Sequence, residues 1–176
     1  LTTGEPAGIG PDICIQIAQT TQNCQLAVVA DRNLMIERAQ KLNLPLRIDD
    51  YEATVIQPHR AGHLSVLHVP VSHVVTAGQL DSRNAVYVLE TLKQAVNLCR
   101  ASDVDAMVTA PVHKGIISES GVKFSGHTEF LSELTNSQAV MMLVGGGMRV
   151  TLATTHLPLK EVSAAITAEL LEKKLR

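Results

Sequence analysis

Four short segments place chemically capable side chains beside glycine or proline, where turns hold them clear of regular structure. Gly4-Glu5-Pro6-Ala7-Gly8-Ile9-Gly10-Pro11 sets three glycines in a turn ahead of a helix, an arrangement that exposes backbone N–H groups to an anion. The spacing is not G-x-G-x-x-G, and the Lys-Ser/Thr of a P-loop is absent, so a purely structural turn stays open as a reading. Pro111-Val112-His113-Lys114-Gly115 closes an apolar run, and ligand sites of open α/β sheets gather at such strand ends. Lys114 can pair there with a phosphate or carboxylate and His113 can donate a hydrogen bond; a solvated lysine and a capping histidine are the plain alternative. Ser125-Gly126-His127-Thr128-Glu129 offers an imidazole, a hydroxyl and free N–H groups at a helix start, suited to a phosphorylated, hydroxylated small molecule. A simple cap, with Glu129 complementing the helix dipole, fits the same residues. Thr154-Thr155-His156-Leu157-Pro158 ends an alternating strand on a histidine that can ligate a divalent metal as a neutral imidazole. A lone histidine is more often structural.

The elements that must position these residues follow from periodicity. A helix is expected from Asp12, with Pro11 in its first turn and Ile13, Ile17 and Ala18 on one face. Apolar runs over 25–30, 44–48, 64–69 and 106–110 predict strands, the last of them buried. Asp31 is an N-cap for a helix running to Leu42. Residues 51–62, with Pro58 and Gly62, are irregular. The stretch 81–100 carries the clearest helical stripe, in which Ala85, Val88, Leu89, Leu92, Ala95, Val96 and Cys99 recur at helical spacing. A turn around Gly121 precedes a helix over 128–134. Apolar strands over 139–144 and 149–154, joined through Gly145-Gly146-Gly147, should pair antiparallel. Residues 167–176 read as a final helix. The fold class is α/β, a mixed sheet flanked by helices. A composition break near 102–105 marks a possible boundary between two lobes.

Composition bounds the function classes. The formal net charge is −2 over 176 residues, with no Lys/Arg run. Nucleic-acid binding, which needs a basic stripe against phosphates, is therefore disfavoured. Cys14, Cys24 and Cys99 have no metal-finger spacing and read as thiols of a reducing compartment. The apolar run 139–144 is too short to cross a bilayer, and no secretory leader is visible, so a soluble cytoplasmic protein is expected. His59, His63, His68 and His73 read as surface residues. Leu1 stands directly before the Gly-rich turn and 167–176 lacks a closing cap, so the chain is expected to be the N-terminal portion of something longer.

Five segments, in order and spread over nearly the whole chain, resemble the 4-hydroxythreonine-4-phosphate dehydrogenase family. They are Gly4 to Pro11, Val75-Thr76-Ala77-Gly78-Gln79-Leu80, Pro111 to Gly115, Gly126-His127-Thr128-Glu129-Phe130 and Ala153-Thr154-Thr155-His156-Leu157-Pro158-Leu159. The resemblance implies a fold similar to isocitrate and isopropylmalate dehydrogenases, two α/β lobes around a cleft, paired as a homodimer. It implies that His127 and Thr128 contact substrate, and Lys114 is placed with them. It further implies that His156 is one of three histidine ligands to a divalent metal (Zn, Mg or Co), the other two lying in a C-terminal half beyond this chain. The implied reaction oxidises 4-phosphohydroxy-L-threonine with NAD (or NADP) and loses CO2 to give 3-amino-2-oxopropyl phosphate, on the route to pyridoxal phosphate. No catalytic or cofactor-binding residue is assigned, and the chain alone is expected to be inactive.

Relatives on the same scaffold oxidise phosphothreonate, phosphoerythronate or a cyclic dihydrodiol. Two further readings belong to other classes. A metal-dependent phosphoester hydrolase would use His127, Glu129 and His156, and a non-enzymatic phosphate-binding module would use the Gly-rich turn. NADH formation separates the dehydrogenase from both.

Overall fold

Short apolar runs between polar turns become the strands β1 (Ala27–Ala30), β2 (Arg47–Asp50) and β3 (His63–His68), parallel and in the order β1-β3-β2. The computed structural model describes residues 1–175. β1 lies against β3 with Ala27 opposite Ser65, and β2 with Arg47 opposite His63. Thr2 bridges both Val29 and Thr109 in parallel, so the sheet continues past β1 through residues 2 and 109.

Successive side chains of a strand face opposite ways, and β1 uses both faces. Val28 and Ala30 pack with Leu64 and Val66 of β3, and with Cys14, Ile15 and Met35 from two helices, α1 (Gly10–Ile17) and α2 (Arg32–Lys41). Val29 points the other way, into a cluster with Val88 and Leu92 of α3 (Ala85–Arg100). Helices therefore cover both faces, as a parallel sheet requires. Fully burying side chains such as Ile15, Leu64 and Leu92 contributes about 1.5–3 kcal/mol each. α4 (Lys114–Glu119) joins the second cluster through Ile117, and Phe124 completes it.

The chain divides into two compact units, Leu1–Phe130 and the residues from Leu131 onward. The composition break at 102–105 is not that division, because residues beyond it return to the first unit through Thr109, Ile117 and Phe124. α5 (His127–Thr135) begins in the first unit. The second holds β4 (Met142–Gly145), β5 (Met148–Thr151), α6 (Leu159–Ala165) and α7 (Ala168–Leu175). β4 and β5 pair antiparallel with Gly145 opposite Met148. Gly146 (φ 54°) and Gly147 (φ 81°) form the two-residue loop, both with the positive φ of a primed hairpin turn.

Several expectations need correction. The sheet is not one mixed sheet: among the described residues, three parallel strands and a separate two-stranded antiparallel ladder share no pairing. Residues 106–110 form no buried strand. Only Thr109 bridges, and Val108 is 61% exposed because no described strand covers its outer side. The 44–48 strand starts at Arg47 instead and takes in Asp49 and Asp50, whose charges an edge position tolerates. α1 buries Pro11, Cys14 and Ile15; of the expected stripe, Ala18 at the C-cap is buried while Ile13 is exposed. The 81–100 helix opens with a 3-10 turn over Ser82–Asn84. His59 is not a surface residue: it is buried, with Nε2 3.3 Å from the Ala18 carbonyl. The final residue of the expected 167–176 helix lies outside the described residues.

Candidate functional site

The C-terminal ends of parallel strands converge on the Gly-rich turn. Ala110 N–H donates to Thr2 O at 3.1 Å and Glu5 N–H to Pro111 O at 3.0 Å, so the turn lies directly against the start of Pro111-Val112-His113-Lys114. Two glycines are compulsory for that approach. Gly4 has φ +63° and a Cβ there would sit 2.2 Å from Pro111 O; a Cβ on Gly10 would sit 1.9 Å from Thr3 O. The turn is also held from outside. Arg38 of α2 donates to Gly8 O at 2.9 Å and binds the Asp12 carboxylate, and Gly78 N–H donates to Ala7 O at 2.8 Å. Three of the five sequence segments thus meet in one place.

Within this turn Glu5 is 5% exposed, its carboxylate accepting from Ala7 N–H at 3.1 Å. Burial pushes its pKa up; the Ala7 hydrogen bond and nearby His113 pull it down, and Asp81 adds to the rise. Beneath the turn, Thr3 Oγ1 lies 3.0 Å from the Tyr87 hydroxyl, which accepts from Asp31 N–H at 3.2 Å. Burial pushes Tyr87 up to about 12, so it stays a neutral phenol.

Lys114 is the first residue of α4, and His113 caps that helix: its Nδ1 accepts from Ile116 N–H at 3.1 Å. The capping histidine, one of the two readings the sequence left open, is the one seen, and Nε2 remains available to donate. The Lys114 ammonium reaches the bare Cα of Gly126, where a Cβ would meet Lys114 Nζ at 3.1 Å and Glu129 Oε2 at 3.0 Å. His127 follows, half-buried, its ring edge-on to Phe124 at 6.1 Å, with Nε2 buried and unpartnered. Burial, and then the Lys114 charge, push its pKa down, so the imidazole is held neutral. Thr128 lies half-buried in the first turn of α5. A cation with the Glu129 carboxylate near it, a neutral imidazole with a free buried nitrogen, a hydroxyl and a helix start lie in one patch, which has donor chemistry suited to an anionic, oxygen-rich ligand. The structure brings Lys114, His127 and Thr128 together.

His156 belongs to the second unit. Its φ of +57° is left-handed, uncommon for a residue with a side chain, and the imidazole is exposed. Among the described residues no group of three His, Cys, Asp or Glu side chains could hold a metal ion. A single open imidazole has the donor chemistry of one metal ligand and no more.

Residues 22–176 match the family model described as pyridoxal phosphate biosynthetic protein PdxA. This chain belongs to the PdxA family. PdxA relatives named 4-hydroxythreonine-4-phosphate dehydrogenase include those of Chromobacterium violaceum, 50% identical over 177 residues, and Marinobacter nauticus, 51% identical over 177 residues. Each alignment covers 100% of this chain and 53% of the relative, so the chain spans about half the length of the curated relatives it matches. The fold is similar to the crystal structure of a 4-hydroxythreonine-4-phosphate dehydrogenase from Burkholderia phymatum, with TM-score 0.87 and 25% identity over 99% of this chain and 54% of that one. It is also similar, in fold alone, to a terephthalate 1,2-cis-dihydrodiol dehydrogenase from Burkholderia xenovorans, with TM-score 0.75 at 22% identity over 99% of this chain and 53% of that one.

Against the PdxA segments, sequence reasoning placed Lys114, His127 and Thr128 but passed over Glu5, Asp81 and Tyr87. Glu5 is inside a recognised segment, and an acid between Gly and Pro at a strand end was the available signal. Nothing in the local sequence marks Tyr87, which matters only because α3 packs under the turn. A cavity of about 350 Å³ lined by Arg47, Asp49, His59, Arg60 and His63 lies at the opposite, N-terminal end of the strands. The convergent polar groups, rather than that cavity, define the candidate site. Among the described residues, no helix is long and apolar enough to cross a membrane.

Proposed function

We propose that the whole protein is a 4-hydroxythreonine-4-phosphate dehydrogenase, cytoplasmic and homodimeric, with two lobes arranged as in isocitrate and isopropylmalate dehydrogenases. It oxidises the C3 hydroxyl of 4-phosphohydroxy-L-threonine, and loss of CO2 from the resulting β-keto acid gives 3-amino-2-oxopropyl phosphate. The observation that carries this reading is the Lys114–Gly126–His127 patch, an anion receptor with an unused buried nitrogen, in a chain of this family. Lys114 supplies charge to an oxygen-rich anionic group of the substrate. His127, neutral because burial and Lys114 keep it so, offers Nε2 to the same molecule. Thr128 adds a hydroxyl at the helix start.

NAD, when bound, accepts the hydride, while the protein contributes position and field. His156 would hold a divalent ion by one bond, and such an ion polarises the substrate's oxygen as a Lewis acid. Remaining ligands come from outside this chain, which on its own is inactive. The test is NADH formation by the intact protein with 4-phosphohydroxy-L-threonine, NAD and a divalent metal. Phosphate release without NADH would overturn the reading in favour of a hydrolase.

A further inference from the structure

We propose that His113 is a positioning residue: as an imidazole protonated on Nε2 alone, it caps α4 and so sets the Lys114 ammonium over Gly126, beside Glu129 and His127. The inference rests on the reading of Lys114 as an anion-binding group given above. Ile116 N–H donates to His113 Nδ1 at 3.1 Å, and Ile117 N–H donates to the His113 carbonyl at 3.2 Å. His113 itself is non-helical, with φ −102° and ψ 96°, the backbone of an N-cap. A nitrogen that accepts cannot carry a proton, so the cap fixes the tautomer. Neighbouring Gly115 leaves room for the ring, since a Cβ there would lie 3.2 Å from His113 Cε1.

Two features tie this cap to Lys114 rather than to the stability of the helix. A lysine as first helical residue opposes the helix dipole, so its place there is not explained by helix stability. Three residues on, Ile117 is fully buried in the core. It anchors α4 from behind, and loss of the cap frees only the first turn, which carries Lys114. Ser, Thr, Asp and Asn are the usual caps, and here the Nδ1 of histidine takes their place.

The experiment compares the intact wild-type protein with His113→Ala, which removes the acceptor for Ile116, and with His113→Asn, which restores one. KM and kcat for 4-phosphohydroxy-L-threonine are measured, and the Ile116 amide is followed by NMR. In His113→Ala, KM is expected to rise about fivefold, the fold-change given by a cap of about 1 kcal/mol, with kcat unchanged. The Ile116 amide resonance should move in the same variant. His113→Asn should return both KM and the Ile116 resonance toward wild type. An unchanged KM in His113→Ala, or a KM raised equally in His113→Ala and His113→Asn, overturns the proposal. If His113→Ala does not fold, His113→Val, which also lacks an acceptor, takes its place. If the protein does not turn over this substrate, the functional reading fails separately; the Ile116 shift and the affinity for inorganic phosphate then decide the role of His113.

Discussion

At the scale of single residues the chemistry is concentrated around Gly126. His127→Ala removes the buried, unpartnered Nε2. We expect KM to rise about tenfold or more, as loss of a hydrogen bond to a charged group implies, with the thermal midpoint close to wild type. Unaltered KM and kcat would remove His127 from the site. Gly126→Ala places a Cβ about where the Lys114 and Glu129 side chains end. Both are the tips of flexible chains, but Gly126 has φ +159°, which side chains rarely adopt, so the variant displaces the ammonium and also strains the local backbone. Steady-state kinetics should show a raised KM, and a variant indistinguishable from wild type would mean that Lys114 does not work from this position. Lys114, His127 and Thr128 were legible in the sequence because glycine, cation and imidazole share short segments. Glu5 was not, because its surroundings are set by segments far along the chain: Pro111 accepts from its N–H, and His113 and Asp81 act on its charge. The capping direction of His113 was equally hidden: both ring nitrogens are compatible with the sequence, and only the Ile116 N–H selects one.

At the scale of elements, the Gly-rich turn is defined by what leaves no room for a side chain. Gly10→Ala would drive a Cβ into the Thr3 carbonyl and the Ala110 side chain. Backbone cannot yield as a lysine tip can. We expect a loss of about 2–4 kcal/mol in a denaturation experiment, and a neutral effect would show that the turn does not pack as described. Tyr87→Phe deletes the hydroxyl that ties residue 3 to the end of β1. It leaves the Asp31 N–H buried without that acceptor, a cost of about 1–3 kcal/mol measurable as a lower midpoint. Helix α2 and the stripe of α3 were readable because Asp31 is a clean cap and the apolar period is unbroken. The hairpin was readable from its glycines. The 106–110 segment was misjudged because an apolar run does not reveal whether another strand will cover it. Helix α4 was missed because it spans six residues and is anchored by Ile117 through tertiary packing, not by a long periodic signal.

At the scale of the whole molecule, one titration couples the turn to folding. Burial raises the Glu5 pKa, so over a range of pH the folded chain keeps a proton that the unfolded chain has released. The stability this contributes is full below the unfolded value and is lost as pH rises through the folded one. Glu5→Gln should therefore flatten that part of a stability–pH profile, and an unchanged slope would place the effect elsewhere. The two units differ in completeness. Leu1–Phe130 has clusters on both faces of its sheet, whereas from Leu131 onward no described residue is buried, and Val144 and Met148 of the hairpin are 71% and 68% exposed. With about half the relatives' length covered, the proposed dehydrogenase activity concerns the entire polypeptide, and His156 is the residue proposed to hold the metal. The most direct measurement is NADH and CO2 production by the intact protein from 4-phosphohydroxy-L-threonine, for wild type and His156→Ala, across a range of divalent metal. The account predicts both products in wild type and the loss of metal-stimulated NADH in the variant. Equal rates for the two at saturating metal, or phosphate released without NADH, would contradict it.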